Sequence, residues 1–169
     1  MKTDNITQKV SRRGTEKPLK ILPEENLDKL VDRFQDKRYK LATRLIYRGG
    51  LRPSEGLELT WGDLVKKEDC WEAEITTGLA DRTVFLNGEK LDKLLQQFIE
   101  DEGEVFDFNI NTYTSKLQGV TNGEIKPYTL RRSKAYTLAY EDNGSAERLS
   151  DELGFSLPTA ENRTQEVKQ

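Results

Sequence analysis

Apolar residues recur along this chain with two different periods. In "LPEENLDKLVDRF" the spacing is helical: Pro23 with Glu24 and Glu25 marks a start, and Leu27, Leu30, Val31 and Phe34 fall on one face. A second helical pattern covers residues 36–47, with Leu41, Ala42, Leu45 and Ile46 inward. A short third one follows Arg52, carries Leu57 and Leu59, and ends near Trp61. From "DLV" through "CWEAEITTGLADRTVFL" the period changes to two. Gly78 separates extended runs at 71–76 and 82–86, which predicts a hairpin, with a third strand over 61–65. Helix returns in "NGEKLDKLLQQFIEDEG", where Leu91, Leu94, Leu95, Phe98 and Ile99 point inward and Gly103 is the stop. The stretch "VFDFNINTYTSKLQGVTNGEIKP" is mixed, with a short helix around 112–118. Another helix covers 128–140 and is closed by "DNG"; a last one, "SAERLSDELG", is capped by Ser145 and ends at Gly154. Residues 1–19 show no apolar period and read as a flexible arm, and beyond Phe155 the pattern fades. The elements predict an α+β fold, mainly α-helical, with a small antiparallel sheet of two to three strands.

Composition narrows the function classes. A chain of 169 residues is one domain with tails. Its charged fraction of 34% equals its hydrophobic fraction, which argues for a well-solvated surface and unfolded ends. No stretch approaches the roughly 20 apolar residues of a membrane span, and the N-terminus lacks the apolar core of a signal peptide, so a cytoplasmic protein with no membrane partner is expected. Cys70 is the only cysteine and there is no histidine. Disulfide scaffolds, zinc fingers, Cys/His proteases and Ser-His-Asp hydrolases are therefore excluded together. The net charge of −3 does not advertise a nucleic-acid binder, but its distribution is uneven. Residues 1–20 hold six basic side chains against two acidic ones, whereas "EDEGEVFD" at 100–107 is strongly acidic.

One side chain in "RGGLRPSEGLELTWGDL" lacks a local reason. Gly49 and Gly50 let a helix stop in a tight turn, Pro53 suits the first turn of the next, and Ser54 and Glu55 complement its free amides. Arg52 is left over, on the wrong side of a helix dipole: either it points into water or it is held there for an anion. "IKPYTLRRSKAYTLAY" repeats the oddity, because a Lys-Pro turn delivers a helix whose opening turns carry Arg131 and Arg132. Two such arginines, about eighty residues apart, suit a phosphodiester, since each guanidinium offers planar bidentate donors and keeps its charge at any working pH. Surface ion pairs, each worth roughly 0–1 kcal/mol, account for them equally well on composition alone.

The order of these stretches resembles the catalytic domain of the tyrosine recombinases, the phage-integrase family. A first box of the form G-L-R-x-S-E-x-x-x-L-x-W-x-D is matched by residues 50–63, a second, H-x-L-R-R, by 128–132, and a third, L-G-H, by 153–155. The resemblance spans about residues 20–164 and implies a tyrosine-recombinase catalytic-domain-like fold over that range, with a basic arm at 1–19 and a tail at 165–169. It implies DNA recombination or integration on double-stranded DNA: a tyrosine cuts one strand, holds it as a 3′-phosphotyrosine and passes it to a new 5′-hydroxyl without metal or nucleotide energy, so neither a metal nor a small-molecule cofactor is expected. Two arginines stabilise the phosphorane, an instance of charge aimed at developing charge. By this resemblance Arg52 and Arg131 are the phosphate-binding pair, Glu55 supports the first of them, and Lys126, Arg132 and Lys134 add DNA contacts.

Several family positions carry other residues. Tyr128 stands where the second-box histidine is expected and still offers a hydroxyl donor. Phe155 stands at the third-box histidine or tryptophan and cannot donate. The hairpin lysine falls near Thr77 when Arg82 is aligned with the arginine after the turn. The nucleophile position falls at Thr164, and no tyrosine follows Tyr140. The chain ends five residues later, so the trailing helix by which family members dock onto a neighbour is expected to be absent, as is a separate N-terminal DNA-clamping domain. The resulting expectation is a DNA-binding relative that does not cleave as this chain stands. Two alternatives stay open: an active recombinase whose tyrosine is displaced or donated by another recombinase protomer, and a protein-interaction module that uses acidic faces at 100–107 and 141–152 against a basic partner.

Overall fold

In the computed structural model, which describes residues 5–12, 15–76, 81–98 and 102–141, the chain runs β1 (Gln8–Arg12), β2 (Thr15–Ile21), α1 (Leu27–Val31), α2 (Lys37–Gly49), α3 (Pro53–Leu57), β3 (Leu64–Lys66), β4 (Trp71–Ile75), β5 (Arg82–Leu86), α4 (Glu89–Gln97), α5 (Ile110–Thr121) and α6 (Pro127–Glu141). The α+β class, mainly helical with a small antiparallel sheet of three strands, is as the periodicities predict; the two-stranded sheet β1-β2 is additional. The α2 helix is the axis. Asp36 caps it by accepting from the Arg38 N–H at 2.8 Å, and residues 41–47 are all buried, so over these two turns it is covered on every side, the polar Thr43 and Arg44 included. It packs against α1, α3, α4, α6 and β5. Three polar side chains within this buried run have partners: Tyr47 donates to the Leu22 carbonyl at 2.9 Å, Thr43 shares a hydrogen bond with the Tyr113 hydroxyl at 2.7 Å, and Arg44 pairs with Asp28 at 2.8 Å.

The three-stranded sheet has the order β3-β4-β5, with Leu64 opposite Ala73 and Ala73 opposite Val84. Trp71, Ala73, Ile75, Val84 and Leu86 line its inner face. The third strand begins at Leu64 rather than at residue 61. Asp63 accepts from both the backbone and the hydroxyl of Thr60, which closes Trp61–Asp63 into a single 3-10 turn and keeps it out of the ladder. The helix expected around 112–118 is longer, because Asn109 caps it from the Thr112 N–H at 3.0 Å and the left-handed Asn122 stops it. Conversely α4 ends at Gln97, before Gly103, whose φ of +80° belongs to the following turn.

Residues 8–12 and 15–21, read from the sequence as largely part of an arm, instead form an antiparallel hairpin with Val10 opposite Leu19. Ile6, Leu19, Ile21 and Leu22 are buried, and Glu124 accepts from the backbone of both Ile6 and Thr7. Ser133 accepts from the Leu22 N–H at 2.7 Å, which ties the exit of the hairpin to α6. Only Leu19 and Ile21 alternate, so the apolar signal is too short to show in the sequence, and the ladder itself leaves no hydropathy trace. Ser145, Gly154 and the helix expected between them lie outside the described residues. Among the described residues no helix is long and apolar enough to cross a membrane.

The α2–α3 corner is packed to contact. A Cβ built on Gly56 would approach Ile46 Cγ1 to 2.9 Å, and Ile46 is fully buried near its stem. Gly56→Ala is therefore expected to destabilise by about 1–2 kcal/mol net, overpacking outweighing the helix-propensity gain. A lower urea midpoint at unchanged m-value is the readout; an equal or higher midpoint contradicts the packing.

Candidate functional site

The α2–α3 corner also builds the site. Gly50 takes a left-handed conformation at φ +59°; its N–H bonds the Tyr47 carbonyl, and the Leu51 N–H reaches back to the Ile46 carbonyl at 3.1 Å. This is the Schellman stop that a glycine permits without strain. Leu51 is fully buried, and the chain leaves it extended at Arg52 before Pro53 opens α3. Two residues further, Glu55 turns its carboxylate back and accepts from the Arg52 N–H at 2.8 Å. Local sequence thus fixes the Arg52 backbone and the Glu55 side chain as one unit.

Tertiary structure brings two more guanidiniums to the same carboxylate. Arg82, at the start of β5, donates from both terminal nitrogens to the two Glu55 oxygens, each at 2.8 Å. Arg131, in the second turn of α6, donates to the Gly50 carbonyl at 2.9 Å and stands 3.7 Å from Glu55 Oε1. The Arg52 guanidinium lies 4.0 Å from Oε2. Glu55 and the side chains of Arg82 and Arg131 are almost wholly buried, whereas the Arg52 side chain keeps 27% of its surface in solvent. The two arginines singled out in the sequence therefore face one point, although 79 residues separate them in the chain.

The electrostatics follow from one carboxylate among three cations. Burial alone would raise the Glu55 pKa; the Arg82 hydrogen bonds, the Arg52 N–H and the charges of Arg82 and Arg131 outweigh it and hold the carboxyl below its ordinary 4.5. Burial pushes Arg131 down to about 10, Glu55 opposes this, and the charges of Arg52 and Arg82 add to it. At neutral pH Arg131 keeps its proton. A site with this charge content is suited to an anion with several oxygens, such as a phosphodiester.

The other sequence candidates are spread along α6 and beyond. Tyr128 is 58% exposed in the first turn of α6, one turn ahead of Arg131 and close enough to act on its charge. Lys126 is exposed just before the helix, and its N–H is capped by the Thr129 hydroxyl; Arg132 and Lys134 are half-buried on α6. Phe155, Thr164 and Thr77 lie outside the described residues. Tyr47 and Tyr113, two of the tyrosines that precede the third box, are buried with their hydroxyls engaged, and burial raises both phenols, which makes them poor nucleophiles. In the acidic stretch, Glu104 and Asp107 are exposed and rim a shallow groove with Leu57, Glu58, Phe106 and Ile110.

The sequence reading passed over Arg82, which it used only as an alignment marker. The signal was present, since Arg82 shares the inward parity of Val84 and Leu86, and an arginine on the core side of a strand needs a buried partner.

Residues 20–156 match the sequence model described as "Phage integrase family". No curated protein matches the sequence. Among solved structures, the fold is similar to the XerH site-specific recombinase bound to difH substrate in a pre-cleavage complex (TM-score 0.67, 20% identity, 85% of this chain and 49% of that one). It is also similar to the XerA recombinase (0.69, 20%, 85% and 59%) and to the catalytic domain of bacteriophage HP1 integrase (0.65, 18%, 83% and 83%). The chain spans about half the length of the XerH recombinase that it matches. At these identities the likeness is one of fold.

Removing the Glu55 charge should destabilise the corner at neutral pH. Glu55→Gln is expected to lose about 3 kcal/mol, because buried guanidiniums are left without a counter-charge. Since the folded-state pKa is depressed, this contribution is present above the unfolded value of 4.5 and lost as pH falls through the folded value. Urea unfolding of both chains should show a gap at pH 7 that closes on acidification below 4.5. A gap constant with pH contradicts the ion pairing.

Proposed function

The chain belongs to the phage integrase family, whose members serve DNA recombination and integration, and from that premise we propose that it binds double-stranded DNA with Arg52 and Arg131 on one phosphodiester. The observation that carries this reading is the arrival of both guanidiniums, from α3 and α6, at the single buried carboxylate of Glu55. Arg52 is the solvent-reached member and meets the phosphate oxygens. Arg131 supplies fixed positive charge from behind, Glu55 orients the pair, and the exposed Tyr128 hydroxyl donates in place of a histidine. Lys126, Arg132 and Lys134 lie along the backbone on either side, and the lysines and arginines of residues 1–20 add nonspecific grip. Residues 20–164 are the working core, onto which the N-terminal hairpin packs, and the site of action is cytoplasmic DNA.

In this reading the chain binds without cutting. Strand cleavage of the family type needs an in-line phenol, and Thr164 at the expected position offers an alkoxide that is much harder to form. Phe155 has no proton to give, and no lysine occupies the hairpin to protonate the leaving oxygen.

Electrophoretic shift of a random-sequence duplex over about 50–200 mM salt tests the binding. Log affinity is expected to fall linearly with log salt, at about −0.9 per phosphate neutralised. Arg52→Ala is expected to weaken binding about tenfold or more, the worth of a charge-assisted hydrogen bond of about 1.5–3 kcal/mol. Flat binding across salt, or none, rejects the reading. A nicked suicide duplex should leave no covalent protein–DNA band on a denaturing gel; a band would favour a tyrosine acting from elsewhere in the chain or from a second protomer.

A further inference from the structure

Arg82 has no part in the phosphate site as described so far, and its position gives it one. A carboxylate has about four lone-pair positions. In Glu55 the two-pronged Arg82 fork fills one on each oxygen at 2.8 Å, and the Arg52 N–H fills another on Oε1. The Arg52 guanidinium, though carried on the same turn of chain, is left at 4.0 Å, the outer limit of an ion pair. Were the fork absent, the nearest cation with freedom to move onto the carboxylate is Arg52, because Arg131 is already anchored on the Gly50 carbonyl at 2.9 Å and is buried. A paired and buried Arg52 would have its donors turned inward, away from any phosphate. A lysine at position 82 would not serve equally, since an ammonium is a point charge that cannot span both oxygens in one plane.

We propose that Arg82 is a positioning residue for the phosphate site: by occupying both oxygens of Glu55 from β5, it keeps that carboxylate from closing onto Arg52 and so leaves the Arg52 guanidinium available to a phosphodiester. The side chain of Arg82 is only 6% exposed, so its effect on DNA passes through Glu55. The inference rests on the DNA-binding reading. It also gives β5 a role beyond the sheet, since the hairpin register that sets Arg82 opposite Ile75 sets the free state of an arginine on α3.

The test uses the full chain and a random-sequence duplex, with the slope of log affinity against log salt as readout. Arg82→Gln frees Glu55 while leaving Arg52 in place, and the slope is expected to become shallower by about 0.9, one phosphate contact. In the double variant Arg82→Gln/Glu55→Gln the amide that replaces Glu55 can still accept from the Arg52 N–H and so keeps the turn in place, but there is no carboxylate to close on the Arg52 guanidinium, and the slope is expected to return to that of the unaltered chain. A purely structural role for Arg82, or direct contact of Arg82 with DNA, would not be rescued in this way. An unmoved slope in Arg82→Gln, or a double variant as shallow as the single one, overturns the proposal. If Arg82→Gln does not fold, Arg82→Lys replaces it, because a lysine keeps a positive charge beside Glu55 but cannot span both oxygens: a slope shallower by about 0.9 supports the proposal and the unaltered slope overturns it. Absence of salt-dependent binding by the unaltered chain instead overturns the DNA-binding reading, and this inference with it.

Discussion

A carboxylate buried between cations organises this molecule. Glu55 is 3% exposed and would be costly to ionise in an apolar interior; it remains ionised because Arg82 meets it with two hydrogen bonds and Arg131 and Arg52 stand within 4.0 Å. Each of those arginines comes from a different element, β5, α6 and the entry to α3. The ion cluster therefore requires the helices and the sheet to dock in one relative position, a requirement that hydrophobic burial alone, being non-directional, does not impose.

The rest of the fold holds that position. The α2 helix passes through the core with every residue from 41 to 47 buried and stops at Gly50, whose carbonyl then becomes the anchor for Arg131. The same glycine that ends the helix thus receives the distant arginine. On the other side, Tyr47 and Ser133 clamp the backbone of Leu22 between α2 and α6, so the N-terminal hairpin braces the two helices that carry the halves of the site. Gly56 permits the close contact of α3 with Ile46.

Such a cluster is useful because its charges are fixed before any ligand arrives. Donors held by packing need little reorganisation when an anion enters, which is the reason preorganised charge is effective at phosphoryl centres. The arrangement grades the three cations: Arg82 is spent within the protein, Arg131 is buried at about 10 and stays charged, and Arg52 alone keeps more than a quarter of its surface in solvent. The positions that the resemblance assigns to a nucleophile and a third-box donor, Thr164 and Phe155, lie outside the described residues.

Much of this was legible in the chain itself. Local rules fix the Gly50 stop, the Pro53 start, the Glu55 return to the Arg52 N–H and the alternation of β4 and β5, because each depends on neighbours within a few residues. The resemblance of the first two boxes to the family's motifs named Arg52 and Arg131 together. What sequence did not decide was their common target. The Arg82–Glu55 fork links residues 27 apart and the Arg131–Gly50 bond links residues 81 apart; no local propensity encodes either. The pairing of β1 with β2 was hidden for a related reason, since its stability comes from backbone ladder bonds and from burial of Leu19 and Ile21 under α6, neither of which gives a long apolar period. Periodicity reports which side of an element is apolar, and only the docking of elements decides which buried charge meets which.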